Sequence, residues 1–197
     1  MLAAVWVVAG PPGAGKSSVA RLLAGRLTPP GAVLDKDTVY GSFVAATLAA
    51  AGRPDGEREG PWYDVHVKLH EYAGLSATAR EIRGSGCPVV VVAPYTAETH
   101  DAARWAGLVA GLGGEPVRLV WLRCDPAALR ERLVARASPR DAAKLADYGG
   151  YLSAIRATEP PVVAHHEIDN SGPLGDLPDQ VDRILAAQSP STPPPPA

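Results

Sequence analysis

Gly10-Pro11-Pro12-Gly13-Ala14-Gly15-Lys16-Ser17 fills the pattern G-x-x-x-x-G-K-[ST] at every fixed position. The apolar run Ala3 to Ala9 before it reads as a buried strand. After it, Ser17 to Leu27 repeats Val19, Leu22, Leu23 and Leu27 at helical spacing. Strand, glycine loop and helix together give the motif its physical meaning. Glycines let the backbone curl so that successive N–H groups point at phosphate oxygens, and the helix N-terminus adds partial positive charge. Gly10, Pro12, Gly13, Ala14, Gly15, Lys16, Ser17 and Ser18 are therefore expected to hold a nucleoside triphosphate. Lys16 would reach the β- and γ-phosphates, and the Ser17 hydroxyl would join a Mg²⁺ shell. A plain Gly-Pro turn that carries a lysine is the weaker reading, because both flanking elements are in place.

The 197 residues fit one domain with a sizeable core. A hydrophobic share of 46% and a charged share of 20% describe an ordinary globular chain. The formal net charge of −2 provides no broad basic field for nucleic acid or an anionic membrane. Lysine occurs only at 16, 36, 68 and 144, so arginine carries most of the positive charge. Cys87 and Cys124 lack metal-ligand spacing and read as intracellular thiols. No apolar run approaches the ~20 residues of a membrane span, and the residues before the first strand read as neither a basic n-region nor a cleavage site. A cytoplasmic protein is expected.

The rest of the chain alternates strands with helices. Ala32 to Leu34 reads as strand two, ending in Asp35-Lys36-Asp37, and Thr38 to Ala51 as a helix stopped by Gly52. Residues 52 to 60 hold three glycines, a proline and five charges, the composition of an exposed, mobile loop. Pro61 suits the first helical position, and a long helix from about Trp62 to Arg83 is expected. Val89 to Ala93 makes strand three, Ala97 to Gly111 a helix and Val117 to Leu122 strand four. Pro126 opens a helix to about Ala137, which Ser138-Pro139-Arg140-Asp141 interrupts before another to about Ala157. Glu167 to Asp169 is a weak fifth strand, and about Leu177 to Ala187 the last helix. Residues 189 to 197 form a proline-rich, disordered tail after a domain of residues 1 to 188. Such alternation implies a parallel sheet covered on both faces, with ligands beyond the carboxyl ends of its strands.

Phosphoryl transfer to an alcohol needs a carboxylate that takes the hydroxyl proton, and acidic oxygen near Mg²⁺. Asp35 and Asp37, on one side of a strand end, can supply both. Asp37 is read as base and acceptor anchor, Asp35 as metal-associated; helix capping by Asp37 is the plainer alternative. Strand three ends in Pro94-Tyr95, without the metal-binding aspartate of many nucleoside triphosphatases, so the acidic duty falls on this pair. Arg132, Arg136 and Arg140 have i, i+4 spacing, which repels in isolation unless a polyanion bridges the row. Arg132 and Arg136 are expected to neutralise the transferring group. Tyr40, Trp62, Tyr63 and Tyr95 could line an acceptor pocket, with ordinary core packing as the plainer alternative, and Asn170 and Ser171 could border the adenine. His66 and His70 are i, i+4 but enclose no glutamate, so a surface or core pair is favoured over a metal site.

In this order the loop, the Asp35-x-Asp37 pair, Leu129-x-x-Arg132-x-x-x-Arg136 and Ile168-Asp169-Asn170-Ser171 resemble the small P-loop kinases. That group includes gluconate kinase, shikimate kinase, chloramphenicol phosphotransferase and zeta-toxin-like ATP-binding proteins. The resemblance implies an α/β P-loop NTPase fold, a five-stranded parallel sheet in the order 2-3-1-4-5 with helices on both faces, and a helical lid near residues 136 to 144. It implies ATP- and Mg²⁺-dependent phosphorylation of a small-molecule hydroxyl. Pro94-Tyr95 departs from the Gly-Gly pocket motif of shikimate kinase, and the lid departs from that of gluconate kinase; both leave the acceptor open. A nucleotide or polynucleotide kinase is the alternative enzyme, and an ATP-binding switch the alternative of another class.

Overall fold

The computed structural model describes residues 2–138, 141–172 and 176–187. Strand β1 (Val5–Ala9) lies at the centre, between β3 (Val89–Val92) and β4 (Val117–Arg123). Strands β2 (Ala32–Asp35) and β5 (His166–Asp169) complete an all-parallel sheet in the order β2-β3-β1-β4-β5. Register pairs Val8 with Val92, Asp35 with Val92, Ala9 with Trp121, and Arg123 with Asp169. The carboxyl ends of all five strands therefore meet along one edge.

Central strands buried on both faces read as unbroken apolar runs, and β1 and β3 do so. Period-two geometry sends Trp6 and Val8 into one core with α1 (Lys16–Arg26), α7 (Pro126–Arg136) and α10 (Leu177–Ala186). Val5, Val7 and Ala9 enter the other, against α4 (Leu69–Gly84) and the partly buried Trp105 and Leu108 of α6 (Ala102–Gly111). A third, small cluster joins Val44 and Leu48 of α2 (Lys36–Ala50) to Tyr63 and Val67.

Several expected helices are cut shorter. The span from Trp62 to Arg83 divides into α3 (Pro61–Tyr63), a π-helical turn (Asp64–Lys68) and α4. A π turn inserts one residue, which changes the face that the helix buries afterwards. The helix expected over 97 to 111 breaks into α5 (Thr96–Thr99) and α6, because the Asp101 carboxylate accepts from the amides of Ala103 and Arg104 and caps a new start. Asp147 likewise separates α8 (Ala142–Ala146) from α9 (Tyr148–Ala154). The proline-rich tail from 189 lies outside the described residues, as do Pro139 and Arg140.

Arg83 pins the end of the sheet opposite the glycine loop. It is 1% exposed and donates to the carbonyls of Ala3 (2.9 Å), Leu112 (2.9 Å), Gly114 (2.5 Å) and Pro116 (3.4 Å). These carbonyls flank the starts of β1 and β4. Arg83→Met, which removes the donors and leaves those acceptors buried, is expected to cost about 3 kcal/mol in urea unfolding. A change below about 1 kcal/mol would show that water satisfies the carbonyls equally well.

Candidate active site

The loop between β1 and α1 requires glycine for steric reasons. Gly13 has φ +90° and Gly15 φ +91°. A Cβ on Gly15 would lie 2.4 Å from Asn170 Nδ2, and one on Gly10 would lie 2.7 Å from the Leu122 carbonyl oxygen. Gly15 is also the N-cap of α1, and no side chain caps this helix. The first amides of a helix have no intrahelical partner, so this end is suited to an anion. Lys16 folds back over the loop, its Nζ 2.9 Å from the carbonyl oxygens of both Gly10 and Pro11. Desolvation pushes the Lys16 pKa down to about 8, opposed by the nearby carboxylates of Asp37 and Asp35. Arg136 and Lys36 also reach it electrostatically and push the same way as burial.

Asp35 and Asp37 have different backbone settings, which corrects the expectation that both project from a strand. Asp35 ends β2 and is the N-cap of α2, its Oδ1 accepting from the Asp37 amide at 3.0 Å. The cap is thus Asp35, and the helix begins at Lys36, two residues before the expected start. Oδ2 of Asp35 accepts from Ser17 Oγ at 2.5 Å, which joins the β2 end to the glycine loop. Two oxygens this close match the hard, oxygen-rich donor set that Mg²⁺ prefers. Asp37 lies in the first turn of α2 with its side chain about half exposed, 3.2 Å from Lys36 Nζ.

Lys36 escaped the sequence reading as a functional candidate. It is 9% exposed and pairs at 3.0 Å with Glu71, which is 3% exposed and accepts a hydrogen bond from Tyr63 Oη. Burial, then the Glu71 contact, drives the Tyr63 phenol far above its usual range. The ammonium thus lies between a fully buried carboxylate and the accessible Asp37. A signal did exist: Glu71 falls on the row Val67-Glu71-Leu75-Ala79, every other member of which is apolar and buried.

Among the arginines, Arg132 spans from Cys124 Sγ (3.5 Å) to the Gly172 carbonyl (3.4 Å). Arg136 is gripped by Asp141, Nε to Oδ2 at 2.8 Å and NH2 to Oδ1 at 2.7 Å. Helix α7 stops at Arg136, with Ala137 at φ +48°, and Arg140 of the expected row lies outside the described residues. Asn170 turns inward: it is 1% exposed, and its Nδ2 donates 2.8 Å to the Ala14 carbonyl. It braces the loop where an adenine contact was expected. Ser171 is likewise engaged, donating to Asp169 Oδ1 (2.6 Å) and accepting from the Asp125 amide (2.8 Å).

The aromatic candidates separate by burial. Tyr95 is 1% exposed in the second core, edge-on to Tyr72 at 5.3 Å, so the expectation that it lines an open pocket is corrected. Tyr95 follows the end of β3 by three residues and, at φ +49°, is the N-cap of α5. Tyr40 and Trp62 are partly buried beside the α2–α3 cluster, with the Arg53 guanidinium 4.3 Å from the Trp62 ring centre. Residues 52 to 60, expected to be an exposed, mobile loop, meet the rest of the chain through Arg58, which donates to the Gly41 carbonyl (3.4 Å), and Glu59, which lies 3.6 Å from Lys144.

A family model described as AAA domain matches residues 5–160, so the chain belongs to that family. The fold is shared with a gluconokinase from Sinorhizobium meliloti (20% identity, TM-score 0.58, 94% of this chain and 93% of that one). It is similar to a sugar kinase from Janibacter sp. (16% identity, TM-score 0.61, 94% of each chain). It is similar also to an APS kinase of Mycobacterium tuberculosis in complex with AMPPNP and APS (18%, TM-score 0.55, 94% and 96%). No curated protein matches the chain. The resemblance to small P-loop kinases thus holds for the fold.

The lowered Lys16 pKa has a pH consequence. A triphosphate binds the charged ammonium, which the free protein holds below about pH 8 and loses above it. Affinity for Mg·ATP is expected to hold near pH 7 and then fall above about pH 8, approaching tenfold per pH unit. Calorimetric titrations from pH 7 to 9.5 measure this; unchanged affinity up to pH 9.5 would remove Lys16 as the phosphate ligand.

Proposed function

We propose that this member of the AAA domain family is a kinase, moving the γ-phosphoryl group of ATP to a hydroxyl of a small molecule. A sugar-like metabolite or an antibiotic-type natural product is the acceptor class. The observation that carries the reading is the turn at residues 35 to 37. One of its carboxylates is hydrogen-bonded to the loop serine, and the other is half exposed one helical step away. A nucleotide switch needs the first of these but has no use for the second.

Phosphates would lie on the amides around Gly13 and the first turn of α1, with Lys16 exchanging its two carbonyl partners for phosphate oxygens. Ser17 and Asp35 would hold Mg²⁺, directly or through water, and the ion would neutralise β- and γ-oxygens when bound. Asp37 accepts the proton of the acceptor hydroxyl as its oxygen bonds to the γ-phosphorus. The bond from that phosphorus to the bridging oxygen breaks, and ADP leaves with the electron pair. Arg132 and Arg136 offset the charge that gathers on the moving group. Residues 136 to 144 serve as the lid, Tyr40 and Trp62 border the acceptor, and residues 1 to 188 form one catalytic domain.

The lack of a broad basic surface in the composition weighs against nucleic acid as acceptor. Among the described residues no helix is long and apolar enough to cross a membrane; a cytoplasmic setting is part of the proposal. ADP release should be screened against hydroxylated metabolites and antibiotics, and stimulation by an alcohol is expected. Asp37→Asn is expected to lower that stimulated rate by about a thousandfold, with Mg·ATP affinity within about threefold of the parent. Full turnover in Asp37→Asn would exclude it as base, and slow hydrolysis indifferent to every alcohol would favour the switch.

A further inference from the structure

We propose that Asp141 is a positioning residue for phosphoryl transfer, holding the Arg136 guanidinium in a fixed plane at the end of α7, the helix that packs on the glycine loop. The inference rests on the kinase reading above. Asp141 has no exposed surface, whereas the Arg136 side chain is 33% exposed. A buried carboxylate is costly unless its oxygens are paired, and here both are. Oδ2 accepts from Nε of Arg136 and Oδ1 from NH2, so the pair is bidentate along one edge of the guanidinium. Such a grip fixes the ring of donors and leaves the NH1 end directed away from Asp141.

The local chain accounts for the contact. Helix α7 ends at Arg136, and Ala137, at φ +48°, turns the backbone out of the helix. The Asp141 amide then closes on the Ser138 carbonyl at 2.9 Å, which brings the carboxylate back under the last helical turn. Lys144 shares the same carboxylate at 3.4 Å and reaches Glu59 at 3.6 Å. Two cations and two carboxylates thus form a neutral group linking the lid segment to residues 52 to 60. Tyr151 lies beneath, its ring centre 5.9 Å from Lys144 Nζ.

The orientation matters because α7 packs on the glycine loop, with Leu129 and Leu133 against Gly13, and Arg136 ends that helix about one turn beyond Leu133; its charge also reaches Lys16. An unheld arginine would have to give up side-chain freedom each time it met the phosphoryl group. Asp141 fixes the side chain beforehand, at an atom that never touches substrate. The interaction is then worth most where charge is greatest, on the transferring group, and least for ADP.

The test uses the full chain with Mg·ADP alone and with Mg·ADP plus aluminium fluoride, which mimics the phosphoryl group in flight. Asp141→Asn keeps the shape and removes the charge. It is expected to leave Mg·ADP affinity within twofold and loosen the aluminium fluoride complex about tenfold. Arg136→Ala is expected to loosen that complex more, and the double variant to be no weaker than Arg136→Ala alone, since both act through one guanidinium. Additive losses, or tighter analogue binding by Asp141→Asn, would overturn the inference. So would an Asp141→Asn that lowers thermal stability with no effect on the analogue. Loss in Arg136→Ala beside an unaffected Asp141→Asn would refute the positioning role alone and leave the kinase reading standing. No loss in Arg136→Ala would instead refute the arginine's part in the kinase reading. Should Asp141→Asn fail to fold, Arg136→Lys keeps the charge but cannot be gripped along two donors. It is expected to lose about tenfold, and parental binding would overturn the proposal.

Discussion

An ammonium group held among carbonyl oxygens at the head of α1 is the constraint on which the site depends. Lys16 has two carbonyl partners from its own loop and two carboxylates in its electrostatic surroundings, and it still loses basicity to desolvation. A cation so placed is under-compensated, and a triphosphate is the kind of anion that can complete it. The glycines make this possible, since Gly15 has no room for a side chain against Asn170. The loop is consequently tight before any ligand arrives, and Asn170, anchored to the Ala14 carbonyl, holds it from the far side.

The sheet determines what stands around that cation. Because all five strands are parallel and in near-common register, the segments after β1, β2, β4 and β5 open at one edge. Ser17 and Asp35 come from different βα units and meet at 2.5 Å only because β3 alone separates β1 from β2. The acceptor side is built differently. Lys36, Glu71 and Tyr63 form a buried polar group beneath α2, so the half-exposed Asp37 stands on a rigid base. Low dielectric makes that group expensive to disturb once formed.

Much of this was legible in the sequence because it rests on local rules. The glycine loop, the apolar strands and the proline-opened α7 follow from backbone sterics and period, and strand order followed from the family resemblance. The misses share a cause: they depend on which side chain a neighbouring element presents. Asp35 and Asp37 look equivalent two residues apart, yet one caps a helix and the other belongs to it. Asn170 and Tyr95 are at the correct sheet edge but face inward, a choice made by packing against Ala14 and Tyr72. Asp141 sat in plain view beside a proline break, and only the return of the chain onto Arg136 gives it meaning. Glu71 and Arg83, charged members of an otherwise apolar i, i+4 row, were the readable clue that α4 carries buried charge for a purpose.

The most direct measurement is calorimetric titration of the purified chain with magnesium AMPPNP near neutral pH, beside Lys16→Met. Saturable one-site binding by the parent, weakened at least a hundredfold in Lys16→Met, is the expected result. No binding by the parent, or equal binding by both, would contradict a phosphate site built on the residue 10 to 17 loop.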